Sequence, residues 1–414
     1  MRVSIHAPIG RSVGRASLLA LAPALVLATA CGSSDPGASS DAPIEAPASA
    51  FPDNQATGTP VKIGLINPEG GPAISQPTNR EAAEAVVAYA NANLGGLAGH
   101  PIELVSCANK EDPASARDCA NQMVESRVAA VVVPITGQSE SIVPIITGAG
   151  IPYVSPTGSS RVDLTTPGAF MLTGGFPATL GSMAEHAKDN GYTKVTAFVT
   201  DNSSVVPATK GIGGPAFQAA GVELQVVPIP LGTPDATPQV SSGLSADVGG
   251  VAIVGDATVC TTILKSLQTL GATQDKLLVQ PCLDPSTVQA VGDAMDGAHI
   301  FTGADLTSGN DEAVLYRSVM QKYAPDTDIA GYTSSGYQAM LGFVRAAQGV
   351  TGEPTASSIL AAIKAARDIP LPAGDGITFT CDGTAVPSFP TVCSAETLTA
   401  TIQNGELTNP RVVE

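Results

Sequence analysis

The chain has 414 residues, of which 43% are hydrophobic and only 14% are charged, so it can bury a large core, in two or three domains. Its formal net charge of −17 repels nucleic acid and anionic lipid, which excludes both as expected partners. Aromatic residues make up 4% of the chain and tryptophan is absent, which argues against stacking platforms for bases or large sugars.

Residues 1–30 are predicted to be an export signal. Three arginines precede or flank an apolar stretch of 15 residues, Ala16–Ala30, which is shorter than the roughly 20 residues of a membrane span. The small residues Ala28-Thr29-Ala30 before Cys31 resemble a bacterial lipobox, although Ala28 stands where leucine is usual. That resemblance implies lipidation of Cys31; the alternative is ordinary signal cleavage beside an incidental cysteine.

Residues 31–60 are predicted to be a disordered linker. They are rich in Ser, Ala, Pro, Gly and Asp, and they lack the periodic apolar positions that a folded segment would bury. With Cys31 at its start, this segment is expected to hold a domain off the membrane. A solvated tail without a role is the alternative.

From Val61 onward, strands and helices are predicted to alternate, which is typical of parallel α/β sheets. The predicted strands are Val61–Ile66, Ile102–Ser106, Ala129–Val133, Pro152–Val154, Val195–Val199, Leu224–Val227, Gly250–Val254, Lys276–Val279 and His299–Gly303. The predicted helices are Thr78–Asn93, Pro113–Ser126, Gln138–Ala149, Pro177–Asn190, Val206–Ala220, Ala257–Gly271, Ser286–Asp293, Asn310–Lys322, Ser334–Gly349 and Ala356–Ala366.

Six cysteines follow Cys31, and an exported chain is expected to pair them. Fifteen connectivities are possible. The spacing favours sequential pairs, with 11, 21 and 11 residues between partners, because each pair then falls within one strand–helix or hairpin unit. The predicted disulfides are Cys107–Cys119, Cys260–Cys282 and Cys381–Cys393. A metal site is not expected, because there is no C-x-x-C and the four histidines are scattered along the sequence.

Several segments resemble a known family. The opening VKIGLINPEGGPAISQ, the run ANANLGGLAGHPIELV and the segments DPASARDCANQMVESRVAAVVVP and GIPYVSPTGSS are similar to type I periplasmic solute-binding proteins of ABC importers. Within that family they resemble the branched-chain amino-acid (Leu/Ile/Val) binding proteins. The resemblance covers about residues 61–350 and weakens beyond Thr351.

The resemblance implies an α/β fold of two Rossmann-like lobes, with parallel central sheets joined by a three-crossover hinge. Lobe 1 is expected to comprise residues 61–175 and 304–385, and lobe 2 residues 176–303 and 386–414. The crossovers are expected near Gly174–Phe176, at Thr302–Ala304 and around Thr380–Pro390.

Two loops of lobe 1 are predicted to contact a ligand. Thr136–Ser139 and Ser155–Ser160 each follow a predicted strand, where open α/β sheets bind ligands. A helix begins after the first loop, and its free N–H groups suit a carboxylate. The resemblance implies that these loops hold the α-carboxylate and α-ammonium of an amino acid. Alternatively, both are helix caps and turns, which favour the same residue types.

Lobe 2 departs from the family pattern. Aromatic residues that cover an aliphatic ligand in the family are replaced by Val205 and Asp256 in lobe 2, and the corresponding lobe 1 aromatic is replaced by Gln76. Asp256 and Asp284 each follow a predicted strand and could pair with a cation, or cap a helix. A polar or cationic ligand therefore fits better than Leu, Ile or Val. The predicted ligand contacts are Gln76, Gly137, Gln138, Ser139, Thr157, Ser159, Asn202, Asp256 and Asp284.

The favoured function is a lipid-anchored, extracytoplasmic, monomeric binding protein that delivers a small amino-acid-like or polar solute to an ABC transporter permease. The alternative is a ligand-sensing subunit of a signalling partner, because the fold alone does not separate the two. An exported enzyme is disfavoured, because no G-x-S-x-G elbow or phosphate-binding loop occurs and no cofactor is implied.

Overall fold

The computed structural model describes residues 46–71, 75–158, 160–201, 205–329, 331–404 and 406–413. The predicted export signal, Cys31 and two predicted ligand contacts, Ser159 and Asn202, lie outside these residues. Within the described ranges, no helix has the length and hydropathy needed to cross a bilayer.

Lobe 1 is organised around a parallel sheet of five strands in the order β2-β1-β3-β4-β5. The strands are β1 (Val61–Pro68), β2 (Ile102–Asn109), β3 (Val131–Val132), β4 (Tyr153–Ser155) and β5 (Ala169–Met171). The helices that follow them are α1 (Pro77–Asn93), α2 (Pro113–Glu125), α3 (Ser139–Gly148) and α4 (Arg161–Thr165). Helices on both faces explain why β1 is buried at seven of its eight positions.

Lobe 2 repeats this arrangement with strands β6 to β10. The strands are β6 (Lys194–Asp201), β7 (Glu223–Pro230), β8 (Val248–Val254), β9 (Asp275–Val279) and β10 (His299–Thr302). The helices are α5 (Gly175–Asp189), α6 (Val205–Ala208), α7 (Gly214–Ala219), α8 (Thr237–Gly243), α9 (Ala257–Thr269) and α10 (Pro285–Val291). A π-helical turn, Thr209–Gly213, joins α6 to α7.

The remaining elements complete both lobes. They are α11 (Asp311–Tyr323), α12 (Thr333–Ala347), α13 (Ala356–Ala365), β11 (Ile369–Pro370), β12 (Thr378–Phe379), β13 (Thr397–Gln403) and β14 (Glu406–Val413). Helix α12 packs closely on α1, where a Cβ at Gly336 would lie only 2.0 Å from the Asn79 carbonyl oxygen. Strands β13 and β14 extend the second sheet beyond β10 in antiparallel fashion.

Three connections between the lobes lie side by side. A Cβ on Gly174 would come within 2.9 Å of the Ser394 carbonyl oxygen, and one on Gly303 within 3.5 Å of the Thr173 side chain. Val392 still bridges Met171 of the first sheet, whereas β13 of the second sheet begins five residues later. These contacts favour a third crossover after Val392, slightly later than the predicted Thr380–Pro390.

The three predicted disulfides are confirmed. Cys107 of β2 bonds Cys119 of α2. Two further bonds join Cys260 to Cys282 and Cys381 to Cys393. Their Cα–Cα separations are 5.5, 5.2 and 4.4 Å, within the usual range for disulfides.

The predicted disordered linker is wrong for its last part, residues 46–60. Phe51 packs edge-on against Tyr89 of α1, with ring centroids 5.4 Å apart, and the Lys322 ammonium lies 4.5 Å from its centroid. The Tyr89 hydroxyl donates to the Ala50 carbonyl at 2.7 Å, and the Asn93 amide donates to Pro52 at 2.9 Å. These ring contacts and hydrogen bonds together hold a stretch of otherwise linker-like composition against the folded domain.

The predicted α/β architecture of two lobes is confirmed. Predicted and observed elements overlap from β1 to α13, but strands β5, β11 and β12, helices α4 and α8, and the β13–β14 hairpin were not predicted. The hairpin pairs antiparallel with a parallel sheet, so a strand–helix alternation gives no signal for it.

Candidate functional site

The strand order of the two sheets locates a candidate site. Lobe 1 has the order β2-β1-β3-β4-β5, and lobe 2 repeats it as β7-β6-β8-β9-β10. In open α/β sheets, ligands bind at the carboxyl ends of the two central strands where the direction of winding reverses. Those strands are β1 and β3 in lobe 1, and β6 and β8 in lobe 2. We call the loops that follow these four strands the switch-point loops.

The loop after β1 is held by a buried asparagine. The Asn67 side-chain amide donates to the Gln76 carbonyl at 2.7 Å and to the Glu69 carboxylate at 3.0 Å. The Asn67 Oδ1 is buried and has no partner among the described residues. A buried acceptor of this kind is costly unless a further donor reaches it, so Asn67 joins Gln76 as a candidate contact.

The loop after β3 is already bound to a carboxylate of the protein itself. The Gly137 N–H donates to Glu111 Oε2 at 2.8 Å. The Thr136 hydroxyl and the Asn109 side-chain amide each donate to Glu111 Oε1 at 2.7 Å. The Gln138 side-chain amide donates to the Glu111 carbonyl at 3.2 Å. The N–H group predicted to hold a ligand carboxylate therefore holds Glu111 instead.

Ser139, also predicted as a contact, faces the protein interior. It is buried, with 4% of its surface exposed, and its hydroxyl interacts with the phenol of Tyr153. Burial raises the pKa of the Tyr153 phenol well above its usual value, and the Asp163 carboxylate adds to the rise. Ser139 therefore packs against Tyr153 on the buried side of the loop, and its hydroxyl is turned away from solvent.

Thr157 lies at the first crossover. It follows β4, which is not a switch-point strand, and it is exposed. A Cβ on Gly175 would lie 2.3 Å from the Thr157 hydroxyl oxygen, and Gly175 has a φ of +53° that favours glycine. A movement between the lobes would therefore change the contacts of Thr157 with Gly175.

Both aspartates predicted in lobe 2 cap helices. Asp256 Oδ1 accepts the Val259 N–H of α9 at 2.9 Å, and Asp284 Oδ1 accepts the Ser286 N–H of α10 at 2.9 Å. Only Asp256 belongs to a switch-point loop, directly after β8. Near it, the buried Thr200 hydroxyl at the end of β6 has no partner in the described ranges.

Tyr332 is a partly exposed aromatic residue beside α12. It immediately precedes α12 of lobe 1 and has 39% of its surface exposed. Partial burial raises the pKa of its phenol, and the Asp256 carboxylate of lobe 2 raises that pKa further. The charge of Asp256 in lobe 2 therefore acts on an aromatic residue of lobe 1. Sequence reasoning missed Tyr332 because it follows no strand, and missed Glu111 although that residue comes directly after β2.

Two of the four histidines that are scattered along the sequence meet in the fold. The rings of His186 and His299 have centroids 4.4 Å apart, and the Asp275 carboxylate lies between them at hydrogen-bonding or ion-pair distance. The sequence gives no sign of this pairing, because His186 ends a helix and His299 begins a strand more than a hundred residues later. This cluster lies at the amino ends of β9 and β10, opposite the switch-point loops.

Comparisons with known proteins agree with this geometry. A family model described as "Periplasmic binding protein" matches residues 60–392. A leucine-binding protein from Thermotoga maritima is 20% identical with a TM-score of 0.67, covering 85% of this chain and 98% of its own.

Two further solved structures are similar. A branched-chain amino-acid transporter substrate-binding protein from Streptococcus pneumoniae, in complex with isoleucine, is 18% identical with a TM-score of 0.66, covering 86% and 99% of the two chains. A fatty acid ABC transporter substrate-binding protein from Thermomonospora curvata is 14% identical with a TM-score of 0.67, covering 88% and 94%. The search of curated proteins found no match. At these identities the likeness establishes the fold, and the ligand differs among the relatives.

Proposed function

The chain belongs to the periplasmic binding protein family, and from that membership we propose that it captures a small polar or cationic solute between its lobes and delivers it to an ABC importer. Lipid anchoring at Cys31, a monomeric state and the absence of enzymatic activity are parts of the same proposal. The main support for solute capture between the lobes is the presence of two switch points. Each lobe has one, and three adjacent connections join the lobes.

The proposed mechanism is closure of the lobes around the solute. Three adjacent connections allow a hinge movement, and a ligand that touches both lobes favours the closed arrangement. Lobe 1 offers Asn67 and the loop around Gly137, whereas lobe 2 offers Asp256. Tyr332 would cover the solute from lobe 1. Ser159 and Asn202, which the sequence predicts as ligand contacts, remain part of the proposed contact set.

The preference for a cationic solute is supported by Glu111. Its carboxylate is half-buried at the loop after β3 and accepts the N–H that would otherwise receive an α-carboxylate. Two carboxylates about 4 Å apart repel by roughly 1 kcal/mol in water and about 4 kcal/mol in a partly buried site. A solute with an ammonium or guanidinium group is attracted by the same charge. Asp256 adds a second carboxylate in lobe 2.

The test compares solutes that differ in one group. Calorimetry should detect agmatine, a cation without a carboxylate, more strongly than L-arginine, and L-arginine more strongly than L-leucine. Small-angle scattering should show compaction with the solute that binds. Binding of L-leucine in preference to both cations would overturn the proposed solute class, and binding without compaction would overturn the closure mechanism.

Anchoring has its own test. Cys31→Ser should move the protein from the membrane fraction to the soluble fraction, because two or more acyl chains are needed for stable attachment. An unmodified N-terminal peptide in the wild-type protein would contradict the anchor without affecting the solute site.

The alternative function is a ligand-sensing subunit that uses the same lobes. Co-purification with a permease and an ATPase would support import, whereas co-purification with a receptor kinase would support sensing.

A further inference from the structure

The cluster of His186, Asp275 and His299 lies apart from the solute site. His186 is in the last turn of α5, Asp275 is the first residue of β9 and His299 is the first residue of β10. These positions mark the amino ends of the lobe 2 strands, at the edge of the sheet opposite the switch-point loops. Nothing in the proposed capture of a solute makes use of these three side chains.

Their metal-binding atoms converge on a small volume. His186 Nε2 lies 2.8 Å from Asp275 Oδ2, and His299 Nε2 lies 3.6 Å from Asp275 Oδ1. One ligand atom from each of the three residues can be chosen so that all lie within 4.8 Å of one another. The side chains are mostly shielded, with exposures of 8%, 18% and 29% for His186, Asp275 and His299.

A second layer of contacts holds the cluster in place. The Tyr192 hydroxyl donates to Asp275 Oδ2 at 2.9 Å. The Asn190 side-chain amide donates to the His186 carbonyl at 2.8 Å and lies 3.3 Å from His186 Nε2. Hydrogen bonds of this kind to a ligating carboxylate are the usual outer support of metal sites.

We propose that His186, Asp275 and His299 bind one divalent transition-metal ion of the zinc class, with water completing the coordination. Two imidazoles and one carboxylate suit Zn²⁺, Co²⁺ or Ni²⁺, whereas Ca²⁺ and Mg²⁺ prefer all-oxygen sites. With bonds of about 2.0–2.2 Å, neighbouring tetrahedral ligands lie roughly 3.3–3.6 Å apart. The separation of His299 Nε2 from Asp275 Oδ1 falls in this range, whereas His186 Nε2 lies about 0.5 Å too close to the other carboxylate oxygen, Oδ2, so the side chains must adjust to share one ion.

The competing interpretation is a hydrogen-bonded cluster without a metal. The short His186–Asp275 contact already occupies the ring nitrogen and a carboxylate oxygen that an ion would need. The positive charge of Arg411 acts on His299 and opposes a cation. A metal ion binds here only if its coordination energy exceeds both the loss of the His186–Asp275 hydrogen bond and the repulsion by Arg411. The experiment below separates the two interpretations.

A bound ion would tie three elements that come from different parts of the chain. It would link α5 to β9 and β10, and anything that binds only the folded state stabilises it by mass action. The site lies opposite the switch-point loops, so the stabilisation should not depend on the solute.

The test uses the mature chain prepared without a polyhistidine tag. Calorimetry with ZnCl₂ should give one equivalent per chain and a saturable rise in melting temperature, and CoCl₂ should give a visible absorption band for a low-symmetry site. His299→Asn should weaken Zn²⁺ at least tenfold. This variant should fold, because His299 is partly exposed and its ion-pair contact is long. His186→Gln tests the more buried ligand.

Two controls make the test specific. His100→Asn removes a histidine whose ring bonds the Thr59 carbonyl elsewhere in the fold, and it should leave Zn²⁺ affinity unchanged. Arg411→Gln should strengthen Zn²⁺ binding by removing the opposing charge. No saturable binding by the wild type, or equal binding by the His299→Asn variant, would overturn the proposal. Failure of solute capture would not affect it, since the titration uses the metal alone.

Discussion

Replacing Glu111 with alanine tests the unusual feature of the solute site. Three side-chain or backbone donors, from Asn109, Thr136 and Gly137, point at this carboxylate at 2.7–2.8 Å. A hydrogen bond to a charged group contributes about 1.5–3 kcal/mol when its loss leaves the partner buried. Glu111 is only half-buried, so water can replace part of these bonds. We expect Glu111→Ala to lower the free energy of unfolding by about 1–3 kcal/mol in total.

A matched variant separates the side chain from the backbone. Glu111 has a φ of +57°, which is unfavourable for any residue with a Cβ. Glu111→Gly removes the same hydrogen bonds but relieves this strain, so it should be more stable than Glu111→Ala by about 1 kcal/mol. Urea unfolding of both variants and the wild type, followed by circular dichroism, measures the two differences.

The same variants should change solute preference. Without the Glu111 carboxylate the Gly137 N–H becomes available, and the repulsion of an α-carboxylate disappears. We expect affinity for L-leucine to rise at least tenfold in both variants, which corresponds to about 1.4 kcal/mol, while affinity for agmatine falls. Equal stability of the Ala and Gly variants would refute the backbone argument. An unchanged ratio of L-leucine to agmatine affinity would refute the role of Glu111 in the site.

Three further predictions concern the rest of the fold. Gln338→Leu should lower the free energy of unfolding by about 1–3 kcal/mol, because the Gln338 amide donates to the carbonyls of Gly303 and Pro372 at 3.0 and 2.9 Å. A difference below about 0.5 kcal/mol in urea unfolding would contradict this. Replacing Cys260 with Ala removes its disulfide to Cys282. This substitution should lower the free energy of unfolding by about 2–5 kcal/mol relative to the wild type with its disulfides intact. Asp256→Asn should lower the pKa of Tyr332, since loss of the negative charge favours the phenolate. Spectrophotometric titration, with Tyr332→Phe to assign the signal, checks the sign, and an unchanged pKa would place Asp256 away from Tyr332.

Local patterns were enough to predict most of the elements and the disulfides. Buried parallel strands such as β8 are continuous apolar runs, and helices such as α9 begin at a capping residue, Asp256, so both leave a signal within a few residues of sequence. The pairing of Cys107 with Cys119 also follows from one strand–helix unit, because its partners are only 12 positions apart. The loops of the solute site were predictable for the same reason, since they directly follow strands.

Which groups those loops bring together depended on the tertiary structure. Glu111 follows β2 and Gly137 follows β3, and they meet because these parallel strands flank β1, so that both loops lie at the same edge of the sheet and reach each other past the end of β1. His186 and His299 are brought together through Asp275 because β9 and β10 are neighbours in the second sheet, and the effect of Asp256 on Tyr332 likewise depends on how the two lobes pack. Sequence spacing carries no information about such contacts, because chain crossovers and sheet order set the distances. Residue types and strand ends were therefore determined by the sequence alone, whereas the occupation of the anion-binding N–H by Glu111 was decided only by the packing of the strands.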